Sequence, residues 1–296
     1  MKFFFFILLF MPTLVFADFS VVENTNFLND TVASSVVVSD GNFVDSYRVL
    51  RYVPLLVLFF VSSLYVAGKD GLKSFFALIF SVFYGFYILI PYLSNSSNIL
   101  FLAFLVIVLM LLNLLITHGF NRKTLRAFNI MALITLVFLF ISNFFTDFLY
   151  LTGAGSEEAF FLQVSNNLNF DLRLILNLAV VLGTFGILDD VVISQMSIVD
   201  RLKKANPKYN FKTLYSEAMI VGRHHIASLI NTLFFAYMAA FLPWLIVMHV
   251  DTSMPIWFRL NTEMFTEEFL RIILGSTALI LAVPLTTFVQ SYKYKK

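Results

Sequence analysis

No cysteine occurs anywhere in the chain. That excludes disulfide bonds, thiolate metal sites, iron–sulfur clusters, cysteine nucleophiles and S-palmitoylation. Charge is scarce too: 13% of residues are charged, against about a quarter in a soluble domain that must keep a hydrated surface. Several enzyme signatures are missing. There is no P-loop, no HExxH and no Gly-x-Ser-x-Gly, and Gly186-Ile-Leu-Asp189 lacks the second glycine of the Gly-x-Gly-Asp motif of intramembrane aspartyl proteases. The last apolar run holds no lysine, so it cannot carry a retinal Schiff base. The basic residues sit in short loops between apolar runs, a membrane-orientation pattern rather than a nucleic-acid surface. Nothing in the sequence calls for a cofactor.

What is abundant is apolar surface. Of 296 residues 59% are hydrophobic, 37 are Phe, and the mean hydropathy is +0.86. Apolar runs tile nearly the whole chain and leave no room for a folded soluble domain. Residues 1–17 read as a signal peptide. Lys2 is the positive start, Phe3–Phe16 the apolar core, and Val15-Phe16-Ala17 fits a cleavage site before Asp18. An uncleaved helix is the competing reading, but the run is short for a span of about 20 residues. Residues 18–51 form a short polar extracytoplasmic segment with a β-leaning stretch, Thr31–Val38. Residues 52–291 form the bundle, with spans expected at 52–68, 74–93, 99–117, 127–150, 172–193, 226–249 and 270–290. A basic tail, 292–296, ends the chain.

Orientation can be read independently of hydropathy. With the mature N-terminus outside, the inner segments hold Lys69, Lys73, Arg122, Lys123, Arg126, Arg201, Lys203, Lys204, Lys208, Lys212, Arg223, Lys293, Lys295 and Lys296. That is fourteen basic residues against five outside, Arg48, Arg51, Arg173, Arg259 and Arg271. Positive charge is retained inside during insertion. The expectation is therefore an all-α, polytopic membrane helix bundle with about seven transmembrane helices after a signal peptide, N-terminus outside and C-terminus cytoplasmic. The stretch 194–223 is expected to be helical in two pieces, broken at Pro207 and restarted by Asn210 as N-cap. Its bases either lie against anionic headgroups or form a solvated loop.

Polar groups in lipid are costly and mark the positions that carry function. The span 172–193 holds Asn177, Gly183, Thr184, Gly186, Asp189 and Asp190. Gly183 and Gly186 are the size that lets another helix come close. Asp189 and Asp190 point about 100° apart on a helix, so one at most faces a given cavity; both at the water interface is the competing reading. In the next span His224, Ser228 and Asn231, spaced i, i+4, i+7, line one face. Asp189 or Asp190 is expected to meet His224 or His225. Such a pair can relay protons or hold a divalent cation, with Asp190 and His225 the metal candidates; a helix-packing network is the bland alternative. Pro284 is expected to free a carbonyl and kink the last span. Glu267 and Arg271, four apart, are placed to pair.

Three blocks carry a family resemblance. Gly183-Thr-Phe-Gly-Ile-Leu-Asp-Asp-Val-Val-Ile-Ser-Gln195 is the first, and Gly222-Arg-His-His-Ile-Ala-Ser-Leu-Ile-Asn-Thr-Leu233 with Ala236-Tyr237 and Leu242-Pro243 the second. The third is Leu260-Asn-Thr-Glu263, Arg271 and Leu281-Ala-Val-Pro-Leu-Thr-Thr287. In order and spacing they resemble the YibE/F-like bacterial membrane proteins over about residues 50–290. The resemblance implies a multi-pass plasma-membrane protein of the transporter type. Many relatives carry a larger extracytoplasmic region than this chain's 18–51, and the family block is closer to Gly-Arg-Asp-His, with His224 in the acidic position here.

The leading functional expectation is a transporter or permeation component for an ion or small solute. Its substrate or ion site would draw on Asp189, Asp190, Gln195, His224, His225, Ser228, Asn231, Glu263 and Arg271. The alternative is a non-catalytic subunit that scaffolds a protein partner or forms a homo-oligomer. An intramembrane metal-dependent enzyme is the third reading. The bilayer is the partner common to all.

Overall fold

A computed structural model describes residues 30–33, 36–39, 42–46, 52–95, 98–164, 170–250 and 253–295. The expected signal segment 1–17 and its cleavage point lie outside the described residues, as does much of 18–51. The chain divides into two compact units, Met1–Phe76 and Ala77–Lys296.

In the first unit, β1 (Asp30–Ala33), β2 (Val36–Ser39) and β3 (Asn42–Ser46) form an antiparallel meander in the order β1-β2-β3. Asp30 pairs with Ser39 and Val36 with Ser46. The Thr and Val run of 31–38 explains this small departure from an all-helical chain, since β-branched residues fit a pleated surface. Helix α1 (Val53–Tyr84) then begins, and Gly68 interrupts it with φ 58° and ψ −130°. Only glycine adopts that conformation without strain. The rings of Phe60 and Phe75 lie 4.9 Å apart, whereas fifteen residues of unbroken helix would separate them by about 22 Å. The chain therefore reverses at Gly68. A Cβ on Gly71 would overlap the Ser63 carbonyl, so glycine permits the close return of the backbone.

The second unit holds the end of α1, a π-turn Gly85–Leu89, and α2 (Ile90–Asn95). There follow α3 (Ile99–His118), α4 (Arg122–Phe148), α5 (Glu157–Val164), α6 (Leu172–Ala205), α7 (Phe211–Val250), α8 (Ile256–Leu260) and α9 (Glu263–Tyr292). Side-chain caps explain where several begin. The Asn98 and Asn121 carboxamides and the Asp171 carboxylate accept backbone N–H groups of α3, α4 and α6. Asn210 does the same for α7 through Thr213 N at 2.9 Å, as expected after the break at Pro207.

Helix α6 is the centre, packed against α9, α4, α7 and α3. Its Leu188, Val191, Val192 and Met196 join Met110, Met131, Leu279 and Val283 in the main core. A second cluster joins Tyr84, Leu89 and Leu93 to α3 and α6, and the Tyr84 hydroxyl donates to Leu105 O at 2.9 Å.

Six helices are long and apolar enough to cross a membrane. The expected number was about seven. The difference lies in the first run, Val53–Ser94, which counts as one helix of 42 residues although it folds back at Gly68.

Candidate functional site

Two polar layers interrupt the apolar second unit. The layer near the start of α9 is built by a glycine-rich loop. Glu263 accepts hydrogen bonds from Thr152 N, from Gly153 N at 2.9 Å and from Thr152 Oγ1 at 2.8 Å. One turn on, Glu267, only 8% exposed, accepts Gly155 N at 3.1 Å. Glycine is needed at both loop positions. A Cβ at Gly155 would lie 2.8 Å from Glu267 Cδ, and Gly153 has φ 83° with the Leu172 carbonyl against it. Carboxylates at a helix N-terminus are favoured by its dipole, and a carboxylate's charge strengthens the bonds it accepts from the loop amides.

Deeper on the same face Arg271 Nη1 reaches Glu268 Oε2 at 2.5 Å, with both side chains largely buried. The expected Glu267–Arg271 pair is replaced by this i, i+3 pair, because Glu267 is turned towards Gly155. Tyr237 of α7 lies within electrostatic range of both Arg271 and Glu268. Its hydroxyl fills the space where a side chain at Gly183 would stand. The glycine thus admits a polar hydroxyl, not a backbone, between α6 and α7. Gly186 is exposed and has nothing within 4 Å of its Cβ position.

The layer near the other end gathers titratable groups from three helices. His118, the last residue of α3, places Nε2 3.6 Å from Asp189 Oδ1 on α6. Asp190 is exposed and within electrostatic range of Asp189, His118 and His225 of α7. So the two aspartates part company as helix geometry requires: Asp189 turns inward to α3 and Asp190 outward along α7. Among the described residues no three His, Asp or Glu side chains are grouped as a metal site; Asp190 and His225 stand without a third ligand.

Gln195 is fully buried one turn beyond. Its Nε2 donates to Ala218 O at 3.1 Å and to Thr287 Oγ1 at 2.8 Å. Gly222 lets α7 pass over it, since a Cβ there would lie 3.0 Å from Gln195 Nε2 and 2.6 Å from Val283 Cγ1. His224, Ser228 and Asn231 are not drawn into the cluster. They face outward on α7 and their side chains bond nothing among the described residues. Helix α9 continues through Pro284.

His118, Glu268 and Tyr237 were missed from sequence. For His118 a signal existed: a lone imidazole ending an apolar span on the same side as Asp189. Tyr237 stands in the second resemblance block, but nothing in its spacing points to Glu268 and Arg271.

No match was found among curated proteins or among solved structures. The family model described as YibE/F-like protein matches residues 55–296, nearly the whole described helical chain, and the chain belongs to that family.

Proposed function

We propose that this membrane protein is a transporter or permeation component for an ion or small solute, and that His118, Asp189, Asp190 and His225 form its inner polar station. One observation carries the reading: His118 of α3 lies 3.6 Å from Asp189 of α6, and Asp190 beside them is within electrostatic range of His225 of α7. Ionisable groups on helices otherwise this apolar are expensive and mark ion or proton pathways. The Glu268–Arg271–Tyr237 layer of α7 and α9 meets α6 at Gly183, about two turns before Asp189 and Asp190, so a permeating species would meet two polar stations along α6. Glu263 and Gln195 position these layers by holding the 152–155 loop and the α6–α7–α9 contact.

The Gly68 reversal supports a topology in which the run Val53–Ser94 crosses twice, for seven passages after a removed signal peptide at 1–17 and a short outer segment at 18–51. The asymmetry of fourteen basic residues to five supports an outer N-terminus and a cytoplasmic tail at 292–296. The plasma membrane of a bacterial cell is the setting, and no catalytic role is assigned.

The test is flux of protons and of divalent metal ions into liposomes, wild type against Asp190→Asn combined with His225→Ala. Loss of flux in a variant of normal abundance and size-exclusion profile is the expected result. Flux that is unchanged, or absent from the wild type, overturns the reading.

A second reading has its own observation. Only 6% of the apolar window of α7 is buried, against 22–50% for the other five spans. Its bare face carries the unbonded His224, Ser228 and Asn231, and small residues at Thr232, Ala236 and Ala240 permit close helix approach. Each of those polar side chains both donates and accepts, so a second copy of the face satisfies it. In this reading α7 is a homo-oligomer contact, and Asn231→Leu shifts the detergent-solubilised protein to a smaller species in multi-angle light scattering.

A further inference from the structure

Helices α6 and α9 pack more extensively than any other pair, yet the seam between them towards the Tyr292 end is polar. Thr286, Thr287, Gln290 and Ser291 of α9 and Gln195 of α6 are all 0% exposed. The two carboxamides are oriented by acceptors. Gln195 Nε2 is held by the Ala218 carbonyl, and Gln290 Nε2 donates to Asp200 Oδ1 at 2.5 Å. Both carbonyl oxygens are therefore turned away from those contacts, and neither has a protein partner.

The hydroxyls point the same way. Thr184, Ser197 and Thr287 donate to the carbonyl four residues back, at 2.8, 2.7 and 2.7 Å. That is the usual recourse of a helical hydroxyl away from water. Thr286 and Ser291 do not, and their oxygens also lack any partner. Four fully enclosed and unpaired polar atoms thus lie on α6 and α9 between Gln195 and Ser291, where Gln195–Thr287 and Gln290–Asp200 tie the two helices together. Buried polar groups without protein partners are bonded by ordered water. At the Ser291 end the seam meets Asp200, which accepts from Gln290 and from the Tyr294 hydroxyl at 2.8 Å and is partly open to solvent.

We infer that the α6–α9 seam is a hydrated route, entered at Asp200 and running past Ser291, Gln290 and Thr286 to Gln195, that admits water and protons from the face bearing residues 201–212. The route supplies the proposed transport reading with a proton path from that face, but its existence does not depend on flux. Carboxamides and hydroxyls alternate as donors and acceptors along it, which suits a file of water.

The absence of cysteine makes the test direct, because each introduced thiol is the sole one. Thiols react as thiolates, which form only in contact with water. Ser291→Cys and Thr286→Cys in the full chain are treated with silver ion added at the 201–212 face of membrane vesicles. The control is Ser142→Cys, equally buried but in the α4–α6 contact with Asn177. Both seam thiols should react about tenfold or more faster than the control. Gln290→Leu should abolish the reaction at position 286 while sparing 291. Rates equal to the control in variants of normal size-exclusion profile overturn the route, whether or not the protein transports. Fast reaction in a protein without flux leaves the route standing and removes only the transport reading.

Discussion

The contact between Gly183 and Tyr237 makes a prediction whose sign depends on the background. A Cβ at position 183 overlaps the Tyr237 hydroxyl, while the next nearest atom, Tyr237 Cζ, is 3.6 Å away, an ordinary contact. Gly183→Ala alone must push the tyrosine off its seat beside Glu268 and Arg271. Overpacking of this kind costs about 1–3 kcal/mol. Tyr237→Phe removes the one atom in the way. Added in that background, Gly183→Ala should be neutral or should stabilise by up to about 1 kcal/mol, the helix-interior advantage of alanine over glycine. The double-mutant cycle therefore has a coupling of about 1–4 kcal/mol, favouring the double variant. Equilibrium unfolding of α6 and α7 by steric trapping in bicelles measures it. If Gly183→Ala costs the same in both backgrounds, the hydroxyl does not occupy that space and the account of this layer is wrong.

Two further outcomes rest on single contacts. Ser142 Oγ donates to Asn177 Oδ1 at 2.6 Å between α4 and α6, wholly buried; a cycle of Ser142→Ala and Asn177→Leu should show coupling of about 0.6 kcal/mol and not above about 1.7, the range for membrane helix hydrogen bonds. Gly153→Ala meets both a positive φ and the Leu172 carbonyl, so it should destabilise the 152–155 loop by about 1–3 kcal/mol, seen as faster amide exchange at Gly153 and Gly155 with α6 unaffected.

Much of the helical plan was legible because it depends on composition and local signals. Long apolar runs, Pro207 and Asn210 are enough to place the α6–α7 turn. The first run was harder, since a single glycine decides whether 42 residues count as one helix or a reversal. The inner cluster was half legible. Asp189, Asp190 and His225 stood out as polar residues inside apolar sequence, but His118 belongs to the group through α3–α6 packing, a contact no spacing encodes. His224, Ser228 and Asn231 share one helical face by spacing, yet periodicity does not say which way a face turns, and here it turns away from the bundle. Glu267 was assigned the wrong partner for a related reason: i, i+4 spacing offers Arg271, but a loop more than a hundred residues earlier supplies the Gly155 amide.

The length of α6 and α7 has a practical consequence. At 34 and 40 residues they are about 51 and 60 Å long, well beyond a hydrocarbon core of about 30 Å. The excess gathers at the Asn206–Asn210 turn, where Lys203 Nζ bonds Pro207 O and Tyr209 O at 2.8 and 2.7 Å and Val199, Leu214 and Ala218 form a small core of their own. A 33.9 kDa membrane protein with so little mass outside lipid offers few features for aligning particle images. This turn is a firm grafting point: a four-helix fusion partner spliced between Ala205 and Phe211 as continuous helices would move rigidly with α6 and α7, giving electron microscopy a visible handle on the two helices that carry Asp190 and His225.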